Sequence, residues 1–220
     1  MSTTVRANGA SRHASGSIPL LSLPNRSRDR AGKQKALLRA ALRLFSSTGY
    51  ENTTTRQIAA SAGCAEGLIH RYFDGKAGLL DALVDYHIDE ELSEMRHLPC
   101  STHNLSEEFL QLVDWEVEYL WKNRSFLRVI ISRGLLDPSV RNRINRDIVS
   151  SRTRAVMQRL APHKPARRLS HEEFEMLAHC VSIFGLIFGF MRPVVLGQDR
   201  KQAQKMARNL ASMLVRSLGE

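Results

Sequence analysis

Two short helix-forming runs lie between Thr53 and Phe73, separated by Gly63, and they limit the fold more than any other feature. Thr54 and Gln57 have the spacing of a capping box, in which each side chain satisfies a free backbone amide at a helix start. Gly63 can adopt a positive φ, which permits a tight change of direction. Two short helices joined by such a turn form a helix-turn-helix unit, so we predict one here.

A helix-turn-helix pair needs a third helix to complete its core. Apolar residues upstream recur at the i, i+3, i+4, i+7 and i+8 spacing of one helix face: Leu37, Ala40, Ala41, Leu44 and Phe45. We predict a helix from Arg30 to Ser47 that ends near Gly49, where a left-handed conformation suits a glycine. The second helix of the pair is expected over 65–73.

The rest of the chain also has helical periodicity. Helices are expected over 79–95, 105–122, 124–134, 138–160, 170–192 and 198–218, with Ser170 and Glu173 as a second capping box and with prolines between helices: Pro138, Pro162, Pro165 and Pro193. No strand-like alternation of useful length occurs. The prediction is an all-α chain with a disordered basic arm (1–28), a three-helix domain that contains the helix-turn-helix unit (29–76) and a larger helical bundle (77–220).

The positive charge is concentrated at the beginning of the chain. Residues 1–76 hold 12 Lys and Arg against 4 Asp and Glu, whereas residues 77–220 hold 20 against 18. A strong local positive field favours a polyanionic partner, either nucleic acid or an anionic membrane surface. A second basic stretch, 141–168, is interpreted as a solvated face that pairs in part with the acidic region 77–118.

Several other classes of protein are disfavoured. The three cysteines, Cys64, Cys100 and Cys180, form no CxxC pair and suit a reducing cytosol. The longest apolar run has 12 residues, too short for a bilayer. His171, Glu175 and His179 share a helix face but nothing completes a metal site. We therefore expect a cytoplasmic protein with no membrane partner, cofactor or metal.

The stretch FSSTGYENTTTRQIAASAGCAEGLIHRYFDGKAGLL, Phe45 to Leu80, resembles the DNA-binding domain of the TetR (tetracycline-repressor) family. The resemblance implies that residues 29–76 form a DNA-binding domain for a double-stranded operator and that residues 77–220 form the effector-binding and dimerisation domain. It also implies these contact residues: Thr55, Arg56, Ala65, Glu66, Gly67, Leu68, His70, Arg71, Tyr72 and Lys76. Cys64 replaces the usual valine, and it is either a small buried side chain or a redox switch. Ala65 replaces the usual serine cap, and Leu68 either packs inward or contacts a thymine methyl.

The stretch CVSIFGLIFGF, Cys180 to Phe190, is apolar almost all round and must be buried on more than one side. Ser182, Gly185 and Gly189 have a spacing that lets another helix approach closely. In the TetR family the last two helices form a four-helix dimer interface. We expect these three residues at a dimer interface, with a buried helix of a monomer core as the alternative.

The function expected is that of a homodimeric, ligand-responsive transcriptional repressor, released from a pseudo-palindromic operator by a small molecule. The candidates to line the effector pocket are aromatic residues and one methionine: Trp115, Tyr119, Phe126, Met157, Phe184 and Phe188. A constitutive DNA-binding regulator with a filled bundle is one alternative. A helical-bundle enzyme is disfavoured, because the chain lacks GxSxG, HExxH, Walker and Rossmann motifs.

Overall fold

The computed structural model describes residues 26–100, 104–163 and 169–217, and these residues are all-α. The first four helices are α1 (Arg26–Thr48), α2 (Thr55–Ser61), α3 (Gly67–Phe73) and α4 (Gly75–His97). The arm predicted for residues 1–28 lies outside the described residues up to position 25. The division into domains at residues 29 and 77 stays a prediction.

The remaining helices form the larger part of the chain. They are α5 (Leu105–Lys122), α6 (Arg124–Leu136), α7 (Pro138–Arg143), a π-helical segment (Ile144–Val149), α8 (Ser150–Leu160), α9 (His171–Phe184), a second π-helical segment (Gly185–Val195) and α10 (Arg200–Ser217). Each π segment continues the helix before it without a break, because its residues keep right-handed helical φ and ψ at the junctions. The predicted helix over 138–160 therefore exists as three consecutive segments.

The helix-turn-helix pair is built as its sequence predicts. The Thr54 side chain accepts from the Gln57 amide, and the Gln57 side chain accepts from the Thr54 amide, which completes the capping box. Gly49 and Gly63 have φ values of 85° and 63°, so both turns use the left-handed region. Arg43 of α1 donates to the Ser61 side chain and fixes α2 against α1.

Two apolar cores hold the molecule together. The first core is formed by the five helices α1, α2, α3, α4 and α6. Its buried residues include Leu37, Ile58, Ile69, Leu83 and Ile130. The second core lies in the bundle and is made by α5, α8, α9 and α10 together with the π segment that follows α9. Since α6 belongs to the first core, the helix-turn-helix region packs directly against the bundle.

The basic stretch 141–168 pairs with the acidic region 77–118, as expected from sequence. Arg143 contacts Asp81 and Asp85 on α4. Arg152 pairs with buried carboxylates on α4 and α5, and its own side chain is 9% exposed. The interpretation as a solvated face is therefore wrong for Arg152, because its partners lie inside the bundle. Residues 164–168 of this stretch lie outside the described residues.

Several helix boundaries differ from the sequence-based expectation. Helix α1 begins at Arg26 rather than Arg30, and α3 begins at Gly67 rather than Ala65. Pro193 does not end a helix but lies inside the second π segment. The wider π turn, in which the Leu196 amide donates to the Met191 carbonyl, accommodates a proline that cannot donate.

The continuous helix His171–Val195 is long and apolar enough, by length and composition, to cross a membrane, and it is the one such helix in the part of the chain that the structure describes. It exceeds the predicted 12-residue apolar run because the helix already begins at His171 and continues through Arg192 and Pro193 to Val195. One face carries buried Leu177, Val181 and Phe188 and packs on α5 and α10. The helix is thus part of the bundle core on that side.

Candidate nucleic-acid interface and effector cavity

Helix α3 has one face packed inward and one face open to solvent. Ile69 is fully buried, and Leu68 is partly buried against the first core, which favours the inward-packing interpretation of Leu68. Gly67, His70 and Arg71 are exposed. The exposed side of α3 is narrow enough for a DNA major groove, which admits a single helix.

The ten predicted DNA-contact residues lie on α2, on α3, in the turn between them and at the start of α4. Arg56, Ala65, Glu66, Gly67, His70 and Arg71 are exposed, whereas Thr55, Leu68, Tyr72 and Lys76 are partly buried. The Thr55 hydroxyl donates to Glu66 over 2.6 Å and links α2 to the start of α3. Glu66 makes no side-chain cap to α3, so the helix lacks the capping bond that serine supplies elsewhere.

Tyr72 and Lys76 are held by the protein itself. The Arg30 guanidinium lies 5.2 Å from the Tyr72 ring centroid, and the Arg71 guanidinium lies 5.9 Å from it. The Lys76 ammonium donates to the carbonyls of Tyr50 (3.0 Å) and Thr53 (3.1 Å). The family resemblance implies only a DNA contact for Lys76, but two of its three protons stabilise the loop between α1 and α2.

Below this region the bundle encloses a cavity of about 260 Å³. Its walls come from α4, α5, α6, α8, α9 and the two π segments. They are mostly aliphatic, with the following apolar lining residues: Ile88, Leu120, Phe126, Leu127, Ile130, Ile131, Ile144, Ile148, Val149, Ile183 and Leu186. Of these, Phe126 and Ile130 also belong to the core of the helix-turn-helix region. The cavity and the candidate DNA-binding helices therefore share side chains.

One part of the cavity wall is polar. Arg152 donates to both carboxylate oxygens of Glu91, and its Nη1 lies 3.0 Å from Oε1 of Glu116 behind it. Burial raises the pKa of Glu116 to about 8 in spite of Arg152, because Glu116 is fully enclosed. Burial opposes the charge of Arg152 too, but Glu116 and Glu91 outweigh it and raise the pKa of the guanidinium.

His87 lines the same cavity from α4 and stacks on Phe126, with ring centroids 4.0 Å apart. Within the described residues, neither of its ring nitrogens has a hydrogen-bond partner. Burial lowers the pKa of His87 to about 4, so the imidazole is neutral at physiological pH. The Ser182 hydroxyl, also at the cavity wall, is buried and equally without a partner within that part of the chain.

Comparison with known proteins places the DNA-binding region in a family. Residues 37–83 match the family model of bacterial regulatory proteins, tetR family. The helix-turn-helix region of the chain is a TetR-family DNA-binding region. This match covers α2, α3 and most of α1, the same elements that form the candidate interface.

Curated relatives of the chain include the probable HTH-type transcriptional regulator YttP of Bacillus subtilis. It is 30% identical over 106 residues, which is 47% of this chain and 51% of YttP. The HTH-type transcriptional repressor KstR2 of Rhodococcus jostii is 31% identical over 72 residues, 33% of this chain and 35% of KstR2. The chain thus spans about half or less of the length of these relatives.

Solved structures share the fold of most of the chain. Salmonella enterica GusR superposes with a TM-score of 0.66 at 15% identity and covers 89% of this chain and 98% of its own. A bacterial regulatory protein in the tetR family from Rhodococcus RHA1 gives 0.65 at 22% identity, covering 83% and 96%. At these identities the likeness concerns the fold alone.

The cavity is lined by two of the six residues predicted for an effector pocket. Tyr119 and Phe126 line it. Phe184 and Phe188 do not, because they stack on each other in the second core, where Phe184 also meets Phe109.

The other two candidates are also placed elsewhere. Trp115 stacks on Tyr119 with ring centroids 5.1 Å apart and does not line the cavity. Met157 lines a separate surface groove between α8 and α9. Aromatic content predicted the core of the bundle rather than its void.

The predicted dimer residues point into their own chain. A Cβ at Gly189 would lie 2.5 Å from the Val117 carbonyl oxygen, and one at Gly185 would overlap the Glu116 side chain. Ser182 lines the cavity. The assignment of these three residues to a dimer interface is therefore corrected, because the helix that approaches them is α5 of the same chain.

Several cavity residues escaped the sequence analysis, although the chain contained a signal for them. Leu79, Leu83, His87, Glu91 and Met95 recur every four residues along α4, and all five are buried. His87 and Glu91 thus occupy two core positions of an apolar stripe. A polar residue at such a position needs a partner or a function.

The metal spacing considered for α9 forms no cluster, since Glu175 and His179 make only a 3.9 Å contact. The potential metal ligands Cys100, Glu108 and His163 do lie within 4.8 Å of one another. Glu108 is already paired with the Arg159 guanidinium at 2.6 Å, which balances its charge without a metal.

Cys64 is partly buried against the first core, and its Sγ lies 3.5 Å from the Ala62 carbonyl oxygen. This placement favours the interpretation of Cys64 as a small buried side chain.

Proposed function

We propose that the chain is a cytoplasmic DNA-binding transcriptional regulator, a homodimeric repressor that a small molecule releases from a pseudo-palindromic operator. One observation carries the proposal. Helices α4 and α6 line the cavity on the side of the helix-turn-helix region, and they also form the core under α2 and α3. A molecule in the cavity therefore contacts side chains that position α3. We call α3 the reading helix, because it is the helix expected to enter the major groove.

The DNA-binding part of the proposal is supported by the exposed surface of α2 and α3. Arg56 and Arg71 can fork onto a guanine edge or a phosphate. His70 and Glu66 lie beside them on the open side of the unit. Tyr72 and Lys76 shape this surface from within, so we assign them to positioning of the helices rather than to phosphate binding alone.

The dimer is supported by an apolar surface that nothing in the described chain covers. Along α9, its π segment and α10, large apolar side chains remain exposed: Met176, Ile183, Leu186, Ile187, Leu210 and Met213. Patches of this kind mark interaction sites on soluble proteins. A second copy of the same face would cover it and would bring two reading helices to successive major grooves, about 34 Å apart.

Ligand response works through population shift. A molecule that fits the cavity better when the two reading helices are misplaced moves the dimer toward that state, and operator affinity falls accordingly. A coupling of about 1–3 kcal/mol corresponds to a decrease of roughly 5- to 150-fold. The cavity favours this proposal over a constitutive regulator, whose bundle would be filled. The repressor role is supported by the similarity to KstR2, which is a transcriptional repressor.

The proposal is tested by selecting binding sites from random DNA duplexes with the purified protein. We expect recovery of a two-fold symmetric sequence, bound with a steep salt dependence. The double variant Arg56→Ala/Arg71→Ala should lose this binding while its helicity and sedimentation stay unchanged. Recovery of no enriched sequence, or undiminished binding by the variant, would contradict the DNA-binding assignment.

A further inference from the structure

We propose that the cavity selects uncharged amphipathic molecules, with an aliphatic or aromatic body and one hydroxyl, carbonyl or amide group held by His87 and Ser182. The cavity would exclude carboxylates and amines of the same size. This inference rests on the proposed effector role of the cavity. It adds the chemical class of the ligand, which the apolar walls alone leave open.

Anions are excluded because the charge of the guanidinium at the wall is already balanced by a buried carboxylate. Nε and one terminal nitrogen of Arg152 donate to the two oxygens of Glu91, the latter over 2.8 Å. The other terminal nitrogen faces Glu116 at 3.0 Å. A ligand carboxylate would have to compete with Glu91 for the guanidinium and would bring a second negative charge beside it, which costs electrostatic free energy.

Cations are excluded because no carboxylate is left for them. Glu91 is the acidic residue among the described residues that line the cavity, and both of its oxygens are held by Arg152. Glu116 lies behind the wall at 0% exposure. An ammonium group placed among isoleucine and leucine side chains would lose its hydration without gaining a counter-ion.

An uncharged polar group does have partners. A neutral imidazole offers one donor and one acceptor, and in His87 both nitrogens are buried without a partner within the described part of the chain. The Ser182 hydroxyl, on α9, is a second such group that lines the same cavity. A ligand hydroxyl can donate to one of these atoms and accept from another, which removes the cost of leaving them unsatisfied.

The size of the cavity sets the scale of the ligand. Its volume of about 260 Å³ lies just below the usual range of roughly 300–1,000 Å³ for sites that take drug-sized molecules. Ile130 and Leu127 close it on the side of the helix-turn-helix region, and Leu186 lies on the side of α9. The inferred ligand is thus a small alcohol, ketone, ester or amide rather than a multi-ring compound.

The test uses matched probes that differ only in the polar group. A primary alcohol, a carboxylate and an ammonium compound are compared on a linear, a cyclic and an aromatic hydrocarbon skeleton. Binding to the wild-type protein without DNA is measured by calorimetry and thermal shift at neutral pH. We expect the alcohol of at least one skeleton to bind at least tenfold more tightly than both charged analogues. Equal or tighter binding of a charged analogue, or no binding of any probe, would overturn the inference.

A variant pair separates a ligand contact from a structural role. His87→Phe keeps the ring on Phe126 but removes both nitrogens, so the alcohol should bind about 3- to 10-fold more weakly. The unsubstituted hydrocarbon should bind as well as before. The control His97→Phe, on the exposed end of the same helix, should change neither affinity. Equal loss for alcohol and hydrocarbon would show that His87 acts only through packing and would overturn its role.

The location of the bound probe and the regulatory role are tested separately. Ile148→Trp fills the cavity from the π segment and should abolish alcohol binding while duplex binding without ligand remains. Alcohol binding that survives in this variant would place the site elsewhere. If the alcohols bind but no duplex is recognised, the regulator proposal fails and the cavity inference stands. If a duplex is recognised but the charged probes bind best, the inference alone fails.

Discussion

The guanidinium of Arg133 lies 4.4 Å from the ring centroid of Tyr50. Arg133 is close to the end of α6, and Tyr50 lies in the loop between α1 and α2. The Lys76 ammonium lies 4.4 Å from the same centroid and donates to the Tyr50 carbonyl. Arg133 also pairs with Glu51 at 2.5 Å. The end of a cavity-lining helix therefore contacts the loop that leads into the helix-turn-helix pair.

This contact predicts a defect in ligand response. Arg133→Met keeps the apolar stem of the side chain but removes its charge. A movement of α6 on ligand binding should then no longer displace the loop between α1 and α2. We expect operator affinity without ligand to stay within about threefold of wild type, while the coupling free energy falls by roughly 1 kcal/mol. Duplex titrations with and without a cavity ligand measure both. Arg128→Met is the control, because Arg128 is exposed on the same helix. An unchanged coupling free energy in Arg133→Met would show that this contact does not link the cavity to the helix-turn-helix pair.

The two cations at the DNA-binding surface should behave differently when replaced. Arg71→Ala should weaken duplex binding by about 1–3 kcal/mol and leave the free energy of unfolding unchanged, because Arg71 is exposed. Lys76→Met should lower the free energy of unfolding by about 1–3 kcal/mol, because two backbone carbonyls lose their donor. Urea unfolding and duplex titration over a salt series distinguish the two effects. Similar stability loss in both variants would contradict the internal role of Lys76.

The exposed apolar face should hold the proposed dimer. Ile187→Glu places a charge on that face and should convert the dimer to monomers in sedimentation without loss of helicity. Leu135→Glu is a matched control, because Leu135 is also exposed but lies at the end of α6. If Ile187→Glu sediments as a dimer, this face is not the interface. Partition of the wild-type protein into lipid vesicles would instead indicate a membrane-bound face.

The small residues behind that face should act on stability. Gly189→Ala places a Cβ 2.5 Å from the Val117 carbonyl oxygen, so α5 and the π segment must move apart. We expect the free energy of unfolding to fall by about 1–3 kcal/mol, as for other overpacked sites. Urea unfolding measures this change, and Gly32→Ala on α1, where a Cβ meets nothing within 4 Å, is the control. Undiminished stability of Gly189→Ala would contradict the close approach of α5.

Stability should depend on pH through Glu116. In the folded chain this carboxyl keeps its proton up to about pH 8, whereas in the unfolded chain it releases the proton near pH 4.5. The folded state thus binds more protons between these values, and stability falls as the pH rises through that window. Glu116→Gln should remove this decrease and should be more stable than wild type above pH 8.

Urea unfolding from pH 5 to pH 9 measures the difference between variant and wild type. The comparison is needed because His87 has the opposite effect on the pH dependence. Its pKa is lowered to about 4 in the folded chain, so the free energy of unfolding decreases as the pH falls below 6.5. Glu118→Gln, on the exposed side of the same helix, should follow the wild-type profile. A parallel profile for Glu116→Gln would mean that Glu116 is ionised throughout the range.

The local architecture followed directly from the sequence. The capping boxes at Thr54 and Ser170, the positive φ of Gly49 and Gly63, and the bounds of α5 depend on neighbouring residues alone, and the structure confirms them. Such features are determined by backbone hydrogen bonding and steric limits within a few positions. The block from Phe45 to Leu80 likewise identified the family.

Only the tertiary structure decided what the buried polar and small residues do. Gly185 and Gly189 have the spacing of a helix contact, but the partner helix proved to be α5 of the same chain. Arg152 belongs to a basic run, yet it lies inside the bundle between Glu91 and Glu116. The reason is physical: periodicity defines which residues share a helix face, whereas the element that meets that face depends on how distant helices pack.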